Sequence, residues 1–260
     1  MAKRGQGGAK SQVHDQHGGN VSWGGAVAAA FDEIYSKGLW GGADGGGSGT
    51  GSALSCGVTA REVLRLVMFK YSAVSLLDAP CGGVHGSWMR PTVLRLKADL
   101  PCFLYAGLDV VASVVEQNTK AFAAHASWMH FEQMDLSNAI AQPPAGYDLI
   151  LSRDALQHLS YPNIARALGT YCRAAGTRLI LIGSYLQTGK NKLIDTGGTF
   201  QINLLDPPFS FPQPLEVFSE GVCLATDGRP NPIKSMLLWS LPELCASAGL
   251  KAFVQTHSNS

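Results

Sequence analysis

A short apolar run, Val74-Ser75-Leu76-Leu77, ends in Asp78 and passes at once into Ala79-Pro80-Cys81-Gly82-Gly83-Val84-His85-Gly86. This order is that of the first strand and turn of a nucleotide-binding α/β domain. The apolar run is a buried strand with an acid at its carboxyl end. Gly82, Gly83 and Gly86 let the backbone approach a ligand where a Cβ would clash. Open parallel sheets bind ligands at the carboxyl ends of their strands. A glycine turn also serves as a plain connection, so the rest of the chain must decide.

Beyond this turn the pattern alternates. Apolar runs at 74–79, 102–109, 129–134, 147–152 and 177–183 read as strands. Helical spacing falls between them at about 86–98, 111–125, 161–173 and, in part, 153–158. Before the core, Val63, Leu64, Leu66, Val67 and Phe69 form a helical face. Strictly alternating strands and helices predict a parallel sheet covered by helices on both faces. Residues 186–234 are rich in Gly, Pro and Asp and read as a long excursion, which in a compact domain is usually functional. The chain closes with strand-like Met236-Leu237-Leu238-Trp239, a helix near 242–248 and a strand over 252–255.

The next two strands also end in acids. Asp109 closes Tyr105-Ala106-Gly107-Leu108, a place from which a carboxylate accepts both ribose hydroxyls of a nucleoside. A helix N-cap is the competing role. Asp135 follows Phe131-Glu132-Gln133-Met134, where it can take an adenine amino group while Met134 or Leu136 lies against the ring. An ordinary turn aspartate is the alternative. Three acids at three successive strand ends line one edge of the sheet.

They also discriminate between cofactors. The dinucleotide fingerprint G-x-G-x-x-G is absent from the turn, and Asp78 would repel a pyrophosphate. S-adenosylmethionine carries a sulfonium and an amino group but no phosphate, so it tolerates these charges. Asp78 would then lie near the methionine amino end.

The fourth strand delivers Ser152-Arg153-Asp154 and then His158 to the same edge. Asp154 and His158 are four apart, and one helical turn would put them on one face. They are the candidates for positioning or deprotonating an acceptor. Arg153 could clamp a carboxylate of cofactor or substrate. An internal Arg–Asp bridge is the bland alternative.

At this point the chain resembles a known superfamily. Leu77-Asp78-Ala79-Pro80-Cys81-Gly82 with Trp88-Met89, then Arg153-Asp154 with His158-Leu159-Ser160, look like the class I S-adenosylmethionine-dependent methyltransferases. More narrowly, the chain is similar to a largely uncharacterised group with an Asp-Ala-Pro-Cys-Gly motif. There a Trp-Gly stretch and a Ser-Gly-x-Gly-Ser element precede the core, as do Trp40-Gly41 and Ser48-Gly49-Thr50-Gly51-Ser52 here. A late element, Asn203-Leu204 and Pro208-Phe209-Ser210-Phe211-Pro212-Gln213-Pro214, also matches.

The resemblance implies a Rossmann-like fold, a mostly parallel seven-stranded sheet with helices on both faces, and S-adenosyl-L-methionine as cofactor. The expected cofactor contacts are Asp78, Ala79, Pro80, Cys81, Gly82, Asp109, Val110, Met134, Asp135, Ser152 and Arg153. Trp88, Ser48 and Phe209 are expected to face the acceptor, with core packing the competing role for Trp88 and Phe209. Asp206–Pro214 reads as a rigid wall of that pocket. Two departures stand out. Gly83 replaces an acid that the group commonly carries, and Thr199-Phe200 replaces an aromatic–arginine pair.

The expected function is methyl transfer to an oxygen or nitrogen of a small-molecule acceptor. The alternatives are an S-adenosylmethionine-binding protein without catalysis, suggested by Gly83 and Phe200, and a nicotinamide-dependent Rossmann oxidoreductase. A formal net charge of +1, with 15% charged residues, shows no basic stripe for nucleic acid. With no run of 18 apolar residues, a membrane span is not expected. Residues 1–22 read as a disordered tail, 23–58 as an arm and Gly/Ser-rich lid or linker, and 59–260 as the methyltransferase domain. The polar start is no secretory signal. Six cysteines are dispersed without a CxxC pair, so zinc and disulfides are not expected and a reducing, cytoplasmic location fits, with organelle targeting left open.

Overall fold

The computed structural model describes residues 23–41, 47–187, 189–224 and 230–258. The expected tail, 1–22, and part of the Gly/Ser-rich stretch, 42–46, lie outside the described residues.

Seven strands form one sheet: β1 (Ser75–Asp78), β2 (Leu104–Asp109), β3 (Met129–Gln133), β4 (Leu149–Ser152), β5 (Leu179–Ser184), β6 (Glu216–Ser219) and β7 (Ser235–Ser240). Their order is β3-β2-β1-β4-β5-β7-β6. The first five pair in parallel, and β7 runs antiparallel to both β5 and β6. The order reverses direction between β1 and β4, which is where such sheets open a ligand crevice.

The sheet is covered on both sides because its strands are apolar on both sides. Leu77, Ile150, Ile180, Ile182, Leu237 and Trp239 point into one cluster. It is closed by α5 (Tyr161–Cys172), α6 (Leu241–Ala246) and α7 (Ala248–His257). Their neighbours Leu76, Leu149, Leu151, Leu179, Leu181 and Leu238 point the other way, toward α2 (Val58–Lys70) and α3 (Met89–Asp99). This strict period of two is what fixes the register. Helix α4 (Ala112–Ala121) packs beside β2 and β3, and α1 (Trp23–Ser36) lies ahead of the core.

Three expectations about the later chain are corrected. Residues 252–255 are not a strand. They belong to α7, because Leu250, Phe253 and Val254 repeat at helical spacing and the Ser247 hydroxyl caps the helix by accepting from Leu250 N. The partner of β7 is therefore β6, a strand inside the expected excursion, and not residues 251–256. The segment Asp206–Pro214 is no pocket wall. Phe209 is fully buried between Tyr161 and Phe253, and Phe211 packs on Trp239.

The cysteines are corrected as well. Cys56 bonds Cys223, and Cys172 bonds Cys245. Partners 167 and 73 positions apart leave no spacing signal in the sequence, so only folding reveals them. The expectation of a reducing compartment rested on unpaired cysteines and loses that ground. No helix among the described residues is long and apolar enough to cross a membrane.

Candidate active site

The carboxyl ends of β1, β2, β3 and β4 border a narrow cleft of about 100 Å³. Pro80, Cys81 and Gly82 form one side, and Asp109, Val110, Met134 and Asp135 the next. Arg153, Asp154 and His158 close the far end. Helix α1 and the segment 47–57 form the roof. Phe31, Tyr35, Trp40, Ser48 and Ser52 all reach into the cleft.

The glycine turn is built by its neighbours. Gly82 has φ +57°, and a Cβ there would come 2.5 Å from Ser48 Oγ. Gly82 N–H donates to Asp109 Oδ2 (2.9 Å), while Asn118 Nδ2 donates to the Gly82 carbonyl (2.8 Å). Gly83 N–H donates to Ser48 Oγ (3.0 Å), which also bonds Tyr35 Oη (2.7 Å). Ser48 thus ties the roof to the turn.

The three strand-end acids differ in their surroundings. Asp78 is buried and accepts from Tyr105 Oη (2.7 Å), and burial pushes its carboxyl up to about 7. It faces a small side chamber, with Ser48, Ser52, Trp88 and Arg153, beside the main cleft. Asp109 accepts from the backbone N–H groups of Val111 (3.0 Å) and Gly82. Burial still raises it to about 6. Asp135 Oδ1 accepts from Ser137 N and Oγ, at 2.8 and 2.6 Å. Its Oδ2 is buried without a partner on the cleft wall, an unsatisfied acceptor that a ligand N–H would satisfy.

The fourth strand end is a knot of charge. Arg153 is 5% exposed. Its Nε and Nη2 donate to Glu220 (2.8 and 2.6 Å), and its Nη1 donates to Gly51 O (3.0 Å) and Asp154 Oδ2 (2.9 Å). Lys234 pairs with the same Asp154. Burial would raise Asp154, but Lys234 and Arg153 hold it far below the usual carboxylate range. Asp154 is therefore a fixed anion. Arg153 is a structural clasp between strand, roof and the Glu220 loop rather than a free carboxylate clamp.

Asp154 and His158 are not on one helical turn, as the spacing suggested. Asp154 has φ +55°, and only residues 156–158 form a short 3-10 turn. Both side chains nevertheless reach the cleft. His158 stacks on Trp40, with ring centroids 4.6 Å apart. Its Nδ1 lies 2.8 Å from the Gly198 carbonyl, which can only accept. Nδ1 must then carry the proton, leaving Nε2 as the basic nitrogen, 3.3 Å from Gln157 Nε2. Burial lowers the His158 pKa, so the ring is neutral near pH 7.

A second, wider cavity of about 680 Å³ shares Trp40, Ser48, Arg153, Asp154 and His158 with the first. Phe200 and Glu220 also line it.

Most of the residues expected at the site are brought together, but four are not. Ala79 is fully buried in the core and lines none of the cavities. Ser152 is buried against Tyr171 Oη (2.9 Å), which in turn donates to the Ala79 carbonyl (2.7 Å). Trp88 is buried beneath Arg153, 5.3 Å from its guanidinium carbon, and touches only the side chamber. Phe209 lies in the core, as described. For the last three, packing partners distant in sequence turn the side chain into the domain, and the sequence alone could not show them. Tyr35, Glu220 and Lys234 were missed. Tyr35 precedes the sheet altogether, and Glu220 and Lys234 flank β6 and β7 inside what the sequence showed only as an excursion, so only their neighbours in space mark them.

No protein-family model matches the chain, and no curated protein matches it. Solved structures do. The methyltransferase domain of bacterial CtHen1-CN aligns over 71% of this chain and 99% of its own, with 13% identity and a TM-score of 0.50. TehB from Haemophilus influenzae aligns over 69% of this chain and 61% of its own, with 16% identity and a TM-score of 0.49. The S-adenosylmethionine-dependent methyltransferase SibL aligns over 71% and 55%, with 16% identity and a TM-score of 0.47. The alignment thus spans little more than half the length of the latter two. At these identities the likeness is one of fold, and it agrees with the strand order and the crevice described above: the chain has the Rossmann-like α/β fold of the class I methyltransferases.

Proposed function

We propose that this protein is an S-adenosylmethionine-dependent methyltransferase acting on an oxygen or nitrogen of a small molecule. The carrying observation is the junction of two cavities. A narrow cleft lined by the strand-end acids Asp109 and Asp135, with Asp78 in the side chamber beside it, opens, at Trp40, Ser48, Asp154 and His158, into a cavity several times larger. A donor in the first would meet an acceptor in the second across that wall.

The residues fit the donor. Asp135 Oδ2 is an unmet acceptor suited to an adenine amino group, and Met134 and Leu136 offer apolar surface beside it. Asp109 stands where ribose hydroxyls would donate. Asp78, in the side chamber, can meet the methionine ammonium. When bound, S-adenosylmethionine supplies an electrophilic methyl on a sulfonium, and a pyrophosphate in the same place would face Asp78 and Asp109. The chain's own contribution is alignment and exclusion of water by the roof of α1, Trp40 and Ser48. His158 Nε2 can accept the proton of an acceptor hydroxyl or amine, and the Gly198 carbonyl steadies the resulting imidazolium. Asp154, already paired twice, supports that charge and does not act as a base.

Calorimetric titration with S-adenosylmethionine, S-adenosylhomocysteine and NADH tests the reading. Binding of the first two, weakened by Asp135→Asn, is the expected result. Binding of NADH alone, or of none of the three, overturns it.

A further inference from the structure

We infer that the acceptor is an anion, a small carboxylate or phosphate monoester, held with its charge outward at Lys190 and Lys192. The inference rests on the methyltransferase reading only in naming the ligand an acceptor. The charge preference of the cavity stands by itself.

Among the described residues, six charged side chains line the wide cavity. Two of them, Asp154 and Glu220, are carboxylates, and both are consumed internally. Glu220 is held by Arg153 through two bonds, and Asp154 by Arg153 and Lys234. These four groups sum to zero and are mostly buried, at 5 to 16% exposure. Lys190 and Lys192 also line the cavity, and both are exposed. Among the described residues neither has an ion-pair partner. The cavity therefore has a surplus of two positive charges at its mouth. Low-dielectric walls focus such a field on an incoming anion.

Charge also fixes orientation. The inner wall, against the cofactor cleft, holds Asp154 neutralised by Arg153 and Lys234, and the neutral His158 ring. An anionic group meets no net positive charge at that end and is drawn to the lysines. The nucleophilic end of the same molecule would then face His158 Nε2. A cavity of about 680 Å³ is the size of a small-molecule site. Trp40 and Phe200 supply flat apolar surface between the two ends. Lysines act as point charges with no fixed fork, so they accept carboxylate and phosphate alike.

The test is calorimetric titration of the full chain with benzoate, phenyl phosphate and neutral benzyl alcohol, each with and without S-adenosylhomocysteine. At least one anion is expected to bind more tightly than the alcohol, with an affinity that falls as salt is added. The stronger of benzoate and phenyl phosphate identifies the carboxylate or the phosphate class. The double variant Lys190→Gln/Lys192→Gln should weaken anion binding about tenfold and leave the alcohol unchanged. Equal binding of alcohol and anions, no anion binding, or an unchanged anion affinity in the double variant overturns the inference. Anion binding without any S-adenosylhomocysteine binding sinks the methyltransferase reading and leaves the anion site standing. S-adenosylhomocysteine binding without anion binding does the reverse.

Discussion

Asp78 offers the sharpest test of the site's electrostatics. The carboxyl is buried, accepts one hydrogen bond from Tyr105, and is lifted from 3.8 to about 7 chiefly by burial. A raised acid pKa means that the folded state holds the proton more tightly than the unfolded chain. The contribution to stability is therefore complete below about pH 4, declines as pH rises, and is lost above about pH 7. Each tenfold difference in proton affinity is worth about 1.4 kcal/mol, so the whole difference is about 4 kcal/mol. Asp78→Asn removes the titration and keeps an oxygen for Tyr105. Urea unfolding of both proteins at about pH 4 and about pH 8.5 isolates Asp78 from Asp109, which titrates in both. The stability gap should move in favour of the variant by about 4 kcal/mol on going to high pH. A gap that is constant with pH, or that moves toward the wild type, would refute the claim that burial governs this carboxyl. The same proton couples to the donor, because a cation beside Asp78 draws it into the ionised form. S-adenosylmethionine affinity should rise through pH 7 in the wild type and stay level in the variant.

Three further outcomes are expected. Asp135→Asn keeps the turn oxygen that Ser137 uses but presents a donor to the adenine amino group, so S-adenosylhomocysteine affinity should fall about tenfold at unchanged stability; an unaltered titration would remove Asp135 from the cofactor site. Glu220→Gln leaves Arg153 short of its main countercharge and should cost about 3 kcal/mol in denaturant unfolding, whereas a loss below about 1 kcal/mol would mean that Asp154 alone suffices. Cys223→Ser frees the roof segment from the loop that carries Glu220. Stability should fall by as much as about 5 kcal/mol and proteolysis near residues 50–57 should quicken, and a variant as protease-resistant as the wild type would show that the Arg153–Gly51 contact holds the roof without the disulfide.

What the sequence determined was whatever local order can encode. The acids Asp78, Asp109 and Asp135 were legible because each ends a strand that its own apolar run defines, and the strands of a parallel sheet bring such ends to one edge. Gly82 was legible in the turn that follows, and the structure gives it φ +57° with Ser48 Oγ 2.5 Å from where a Cβ would stand. The phase of burial was not. Trp88, Ser152 and Phe209 looked available to ligands and were turned into the domain by packing partners that lie up to dozens of residues away. The short run 252–255 has the composition of a strand, yet Ser247 and the face carried by Leu250 and Phe253 make it helix. Long-range pairs were invisible altogether. Glu220 meets Arg153 across 67 positions, Lys234 meets Asp154, and Cys56 meets Cys223 across 167, each because sheet and roof fold them together. Local periodicity thus set the acid-lined edge of the narrow cleft, while the net charge of the wide cavity was decided only by tertiary contacts, because which carboxylates cancel which cations depends on distance in space.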